Sequence, residues 1–135
     1  CNANEAYMYC NANEEVYMYC NANEAYMYCN ANEVYMYCNT NEEVYMFCNA
    51  NEEMCMYCNA NEMYMYCNAN EEVYMYCNAN EEVYMYCNVN EVYIYCNVNE
   101  VYIYCNADEE VCMYCNTNEE ARIIYAPVIY KLPLH

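Results

Sequence analysis

Sulfur recurs in this chain at a spacing that could hold a soft metal: Met18 and Cys20 stand two residues apart, and the pairing repeats along the sequence. Residues i and i+2 of an extended strand share one face, and a thioether beside a thiolate is a donor set suited to Cu(I). The same spacing serves an apolar interior equally well. Met and Cys are ordinary core fillers, and Ile94 and Ile103 take the Met position without disturbing the pattern. Oxygen donors recur too. Asn11-Ala12-Asn13-Glu14-Glu15 places them at alternating positions of a turn, as loops that bind Ca2+ do, although a solvated acidic turn has the same composition. Catalytic chemistry finds no support. Pairs such as Glu14 and Glu15 recur in identical settings with nothing to split their pKa values. The sole His is the terminal His135, which leaves no Cys-His nucleophile. The expectation is a chain that is not an enzyme, with no cofactor and no residue assigned to a metal.

All of these residues belong to one phrase, Cys-Asn-Ala-Asn-Glu-(Glu)-Val-Tyr-Met-Tyr, spoken about thirteen times from Cys1 onward. A unit of nine or ten residues is too small to bury a core alone and must stack on copies of itself. A helix fails on phase, because at about 100° per residue neither unit length returns the same face. Val-Tyr-Met-Tyr-Cys is a strand by propensity and by alternation. Alternation points Val16, Met18 and Cys20 inward and Tyr17 and Tyr19 outward. The same reading puts Tyr26, Tyr28, Tyr35, Tyr37, Tyr74, Tyr76, Tyr84, Tyr86, Tyr93 and Tyr95 on the outer face, the candidate self-association surface. Cys55 and Cys112 each replace the first Tyr of a strand and are the candidate exposed thiols.

The turn is read as Asn-Ala-Asn-Glu with or without a second Glu. The chain has no Gly, so Asn, the residue that next best tolerates positive φ, is expected to supply that conformation. Cys20–Tyr28 spans nine residues and Cys10–Tyr19 spans ten. An insertion inside a strand would flip every later side chain, so the extra Glu must lie in the turn.

These constraints predict an all-β fold: tandem repeats over 1–125 forming a β-solenoid with two units per coil, followed by a C-terminal cap or tail at 126–135. The alternative is an antiparallel β-meander joined by hairpin loops, which would gather more strands into one open sheet than usually stay together.

The formal charge is -19, and Arg122 and Lys131 are the only cations. Nucleic acid and acidic membrane surfaces would be repelled, and no apolar run is long enough to span a bilayer. Divalent cations and further copies of the chain are the expected partners. Thirteen of the fifteen Cys occupy one repeat position, unlike the varied spacing of disulfide-rich miniproteins. An oxidising, extracellular or cell-surface setting fits this composition somewhat better than the cytosol, and the localisation is otherwise open. The chain opens at Cys1 in mid-repeat and reads as a fragment or processed product.

The nonapeptide period resembles that of the calcium-binding β-roll toxins, which implies calcium at the turns; those repeats rely on Gly, absent here, and on Asp, present only as Asp108. Flat repetitive faces are also similar to those of ice-binding and ice-nucleating solenoids. Asn-Ala-Asn stands here where such proteins carry Thr pairs, and Thr occurs only at Thr40 and Thr117. The favoured function is a structural or self-associating repeat, surface or filament-like, docking through its Tyr columns. The alternative is a cation-binding module, with Ca2+ at the acidic turns or Cu(I) at the Met/Cys strands. A third reading is an open frame through a tandem DNA repeat with no biochemical role, which AT-rich codons and one-Glu slippage fit.

Overall fold

The computed structural model describes residues 2–125. The expected cap at 126–135 lies outside the described residues. The chain forms β1 (Asn2–Asn11), β2 (Glu15–Ala31), β3 (Glu33–Thr40), β4 (Glu43–Ala50), β5 (Met54–Ala60), β6 (Glu62–Ala69), β7 (Glu72–Ala79) and β8 (Glu82–Tyr125). Each strand pairs in parallel with the strand one coil further on, and the hydrogen-bonded order is β1-β2-β3-β5-β7-β8-β6-β4, with β2 also paired to β4. This is a β-solenoid of about 5 turns. Parallel pairing throughout excludes the meander, whose hairpins would make neighbouring strands antiparallel.

The pairings resolve into two parallel faces. Sheet I contains β1, the second half of β2, β4, β6 and the first part of β8. Sheet II contains the first half of β2, β3, β5, β7 and a later part of β8. Two repeat units therefore make one coil, because β2 and β8 run from one sheet into the other. Like residues pair even where the offset changes: Glu15 with Glu33, Tyr26 with Tyr45 and Asn39 with Asn59 are 18, 19 and 20 residues apart. The variable Glu is absorbed at the corner. In nine-residue units the corner is at most one bent residue, as at Asn32 and Asn61, and at Asn23, Asn90 and Asn99 the strand runs through it unbroken. In ten-residue units it is two, as at Asn41–Glu42 and Asn80–Glu81.

The structure corrects the expected turn in two ways. No described residue has positive φ. The corner does not close a hairpin on itself, because its backbone bonds to the preceding coil instead: Glu42 N–H donates to the Asn23 carbonyl at 2.9 Å, and Glu52 N–H to that of Asn32 at 2.9 Å. The turn is also shorter than expected. Asn-Ala continues the strand, so Ala22, Ala31, Ala50, Ala60, Ala69 and Ala79 form a fourth buried column, with Thr40, Val89 and Val98 at the same position. Sequence propensity placed these residues in a loop because Asn favours turns; stacking against an identical neighbour overrides that preference.

The interior holds the Val, Met, Cys and Ala positions of both sheets in one continuous cluster. Side chains meet across it: the Cys48 thiol lies 3.6 Å from the Met36 sulfur, and that of Cys58 lies 3.9 Å from Met46. Alternation along Glu15–Ala31 is strict at its start, with Val16, Met18, Cys20 and Ala22 buried and the residues between them exposed. The core thus fixes which residues reach the surface.

Candidate functional site

Because every second residue points outward, each sheet presents four parallel columns: Glu, a first Tyr, a second Tyr and Asn, as in Glu15, Tyr17, Tyr19 and Asn21. Tyr17, Tyr19, Tyr35, Tyr37, Tyr74, Tyr76, Tyr93 and Tyr95 lie on sheet II, and Tyr26, Tyr28, Tyr84 and Tyr86 on sheet I. Their rings stack on those of the neighbouring coils. Tyr26 and Tyr45 have centroids 5.1 Å apart and 3° from parallel, and Tyr76 and Tyr95 stand 4.9 Å apart at 4°. Phe47 keeps the second column of sheet I continuous between Tyr28 and Tyr66. Interior rungs such as Tyr28 and Tyr76 remain 38% and 39% exposed, whereas Tyr7 and Tyr17 at the first coil are each 71% exposed for want of a ring on one side.

The first column is tied to the Glu column. Tyr45 donates its hydroxyl to Glu43 at 2.8 Å, Tyr84 to Glu82 at 2.8 Å and Tyr102 to Glu100 at 2.8 Å, and Tyr74 makes the same bond to Glu72. A phenolate there would face a carboxylate. The bond to Glu43 accordingly pushes the Tyr45 pKa up to about 12, and those to Glu72 and Glu100 do the same for Tyr74 and Tyr102. On the far side the Asn side chains bond along the stack: Asn68 donates to Asn49 at 2.9 Å and Asn49 to Asn30 at 3.1 Å. A second amide ladder runs at the corners, where Asn41 donates to Asn23 at 2.9 Å. Several of the amide oxygens expected to face Ca2+ thus accept from a neighbouring Asn.

Between the two ring columns of each sheet runs a groove along the stack. It encloses about 1010 Å³ on sheet I and about 800 Å³ on sheet II. Neighbouring residues on one strand face are about 6.6 Å apart, so the two ring columns flank a narrow groove. On sheet I the first wall is unbroken from Tyr7 through Tyr26, Tyr45, Tyr64 and Tyr84 to Tyr102. On sheet II it is broken twice, by Cys55 and by Cys112.

Both of these thiols therefore lie in the same column of the same sheet. Cys55 is half-buried between Tyr35 and Tyr74, and Cys112 is exposed with its thiol 3.2 Å from a Glu110 carboxylate oxygen. Burial pushes the Cys55 thiol up, and the bond to Glu110 does so for Cys112. Inside the solenoid the thiols form a buried column in each sheet. Burial raises Cys20 to about 11 and Cys29 to about 12, while Cys38, which accepts from the Cys58 thiol, is drawn down. Met18 and Cys20 do share a face, but that face packs into the interior. Among the described residues no group of three or more His, Cys, Asp or Glu is placed to hold a metal ion.

The one described cation, Arg122, pairs with Glu120 at 2.6 Å, and its guanidinium stands 6.0 Å from the centre of the Tyr102 ring. That places a positive charge at the end of the sheet I groove. Among the described residues no helix is long and apolar enough to cross a membrane. Comparison of the chain with protein families, with characterised proteins and with solved structures finds no match.

Proposed function

We propose that this chain is a structural, self-associating element that docks through its tyrosine-bearing sheet faces. The observation that carries the reading is the pair of flat, ring-stacked columns on each sheet, of which the second keeps its interior rungs about 40% exposed and the first is mostly half-buried. Stacked rings are already ordered, so little side-chain entropy remains to be lost when a second surface covers them. Tyr combines a large apolar area with a polar tip, which suits it to interfaces.

Charge selects the arrangement. Two copies related by a twofold axis parallel to the stack bring each Glu column against the partner's Asn column, with rings against rings between them. A twofold axis along the strands would set Glu against Glu and repel. The interface is then isologous, and the second sheet of each copy stays free to repeat the contact, which extends a dimer into a layer or filament.

Sedimentation velocity of the full chain, with and without EDTA, tests the reading. Association is expected to persist in EDTA. It is expected to fall at least tenfold in Kd terms when Tyr28, Tyr66 and Tyr86 are replaced by Ser, with an unchanged β circular-dichroism spectrum. Association that vanishes on chelation would instead support the alternative of a cation-binding repeat. Association indifferent to the rings would remove the docking surface.

A further inference from the structure

We infer that the groove between the ring columns of sheet I is a binding site for flat, elongated aromatic cations, which lie along it, and that the groove of sheet II is disabled by Cys55. The site shares its surface with the docking face but does not depend on docking.

Three features converge on sheet I. The first is shape. The two ring columns stand about 6.6 Å apart centre to centre, so a planar molecule laid along the narrow groove between them touches rings of both columns. Six successive rungs line it, at steps of 4.8 to 5.2 Å between Tyr7 and Tyr102. A rod of two or three linked rings is therefore gripped over its whole length.

The second feature is charge. The carboxylates of Glu43, Glu62, Glu82 and Glu100 receive the hydroxyls of the first ring wall, so one rim of the slot is a row of negative charge. The chain as a whole carries -19. The rings stack face to face along the column and turn their edges to the slot, so the attraction comes from the carboxylates. A neutral molecule of the same shape gains only the contact, and an anion is repelled.

The third is that this surface already holds a cation: Arg122, at the first-Tyr position of its unit, caps the first ring column at the end of the groove, with its guanidinium 6.0 Å from the centre of the Tyr102 ring. The groove of sheet II has the same backbone and the same second wall. Its first wall offers only two consecutive rings, Tyr17 and Tyr35 or Tyr74 and Tyr93, on either side of Cys55. A rod-shaped ligand there loses contact on one side over part of its length.

The test uses thioflavin T, an elongated benzothiazolium cation, titrated into the full chain, with the bound ratio from equilibrium dialysis and the oligomeric state of the same samples from sedimentation. One dye site per chain is expected, weakened several-fold by high salt. Cys55→Tyr, an outward substitution that restores the wall of sheet II, is expected to raise the ratio to two. Tyr45→Ser combined with Tyr84→Ser leaves no more than two consecutive first-wall rungs on sheet I and is expected to weaken that site at least tenfold, with circular dichroism unchanged. A ratio unaffected by Cys55→Tyr, binding that survives the double substitution, or equal affinity for an uncharged analogue of the dye would each overturn the inference. Dye bound as expected by a chain that sediments as a monomer would leave it standing and remove only the docking reading.

Discussion

Replacing Thr40 by Val should make this protein more stable, and the size of the gain follows from what surrounds the side chain. Thr40 occupies the fourth inward position of its unit, paired in register with Ala22, and is 6% exposed. Its hydroxyl is the one buried side-chain polar atom among the described residues that has no hydrogen-bond partner. Such an orphan costs about 1–3 kcal/mol. Val keeps the shape of Thr and exchanges the hydroxyl for a methyl, and the stack accepts that volume, since Val89 and Val98 are buried at the same position of later units. Thr40→Val is therefore expected to gain about 1–3 kcal/mol. Thr40→Ala lifts the same penalty but gives up about 0.8 kcal/mol of methyl burial, and Thr40→Ser keeps the hydroxyl and loses the methyl. The order of stability should be Val, Ala, Thr, Ser. Urea unfolding followed by circular dichroism measures it, with the slope against denaturant unchanged across the set. Thr117, at the same repeat position but half-exposed in the last coils, is the control, and its change to Val should stay within about 0.5 kcal/mol. A Thr40→Val chain no more stable than the parent would mean that the hydroxyl is satisfied, and that the fourth column is not the dry interior described above.

Alkaline titration at the phenolate absorbance band should find Tyr45, Tyr74 and Tyr102 ionising near 12, and Glu43→Gln should bring Tyr45 back toward its ordinary 10.0. A raised phenol pKa favours the protonated form in the fold, so the stabilisation from these bonds is complete below about pH 10 and is lost as pH climbs through about 12. Thiol labelling of the native chain should modify Cys112 first, Cys55 more slowly and interior thiols such as Cys58 and Cys67 only on unfolding; immediate labelling of every thiol would contradict the inward-facing sulfur columns. Carboxylates in register, such as Glu15 with Glu33 and Glu43 with Glu62, repel by about 0.9 kcal/mol per neighbouring pair in water's dielectric at strand spacing. Millimolar calcium, or lowering the pH to about 4, should therefore strengthen the β circular-dichroism signal, and indifference to both would remove the charge repulsion from the account.

Much of the fold was legible because its period is short. The alternation of Val16, Tyr17, Met18 and Tyr19 fixed the two faces, and the wandering second Glu could sit only where it would not flip a strand. What escaped was whatever depends on the neighbouring coil. Asn21 and Ala22 look like a turn in isolation, yet in the stack their alanine column is buried and their asparagines bond to copies of themselves. The left-handed asparagines were expected from the lack of Gly, but a corner whose N–H groups are taken by another coil needs no such residue. Cys55 and Cys112 could be read as outward thiols. Their shared column follows only once coils are known to contain two units, because the two residues stand an even number of units apart. The ring-walled grooves likewise arise between columns, and no single unit contains one.

The alternation of units between two sheets also gives the array a parity. Gain or loss of two units lengthens or shortens the rod by a coil and returns every later residue to its own face. Gain or loss of one unit leaves the interior equally well filled, since both sheets contribute the same four side chains, but carries everything downstream to the opposite side. A single-unit deletion between residues 55 and 112 would place the two surface cysteines back to back. The interior is blind to such an event and the exterior is not, so even and odd copy-number variants of this gene should be equally stable yet differ in what they can bind.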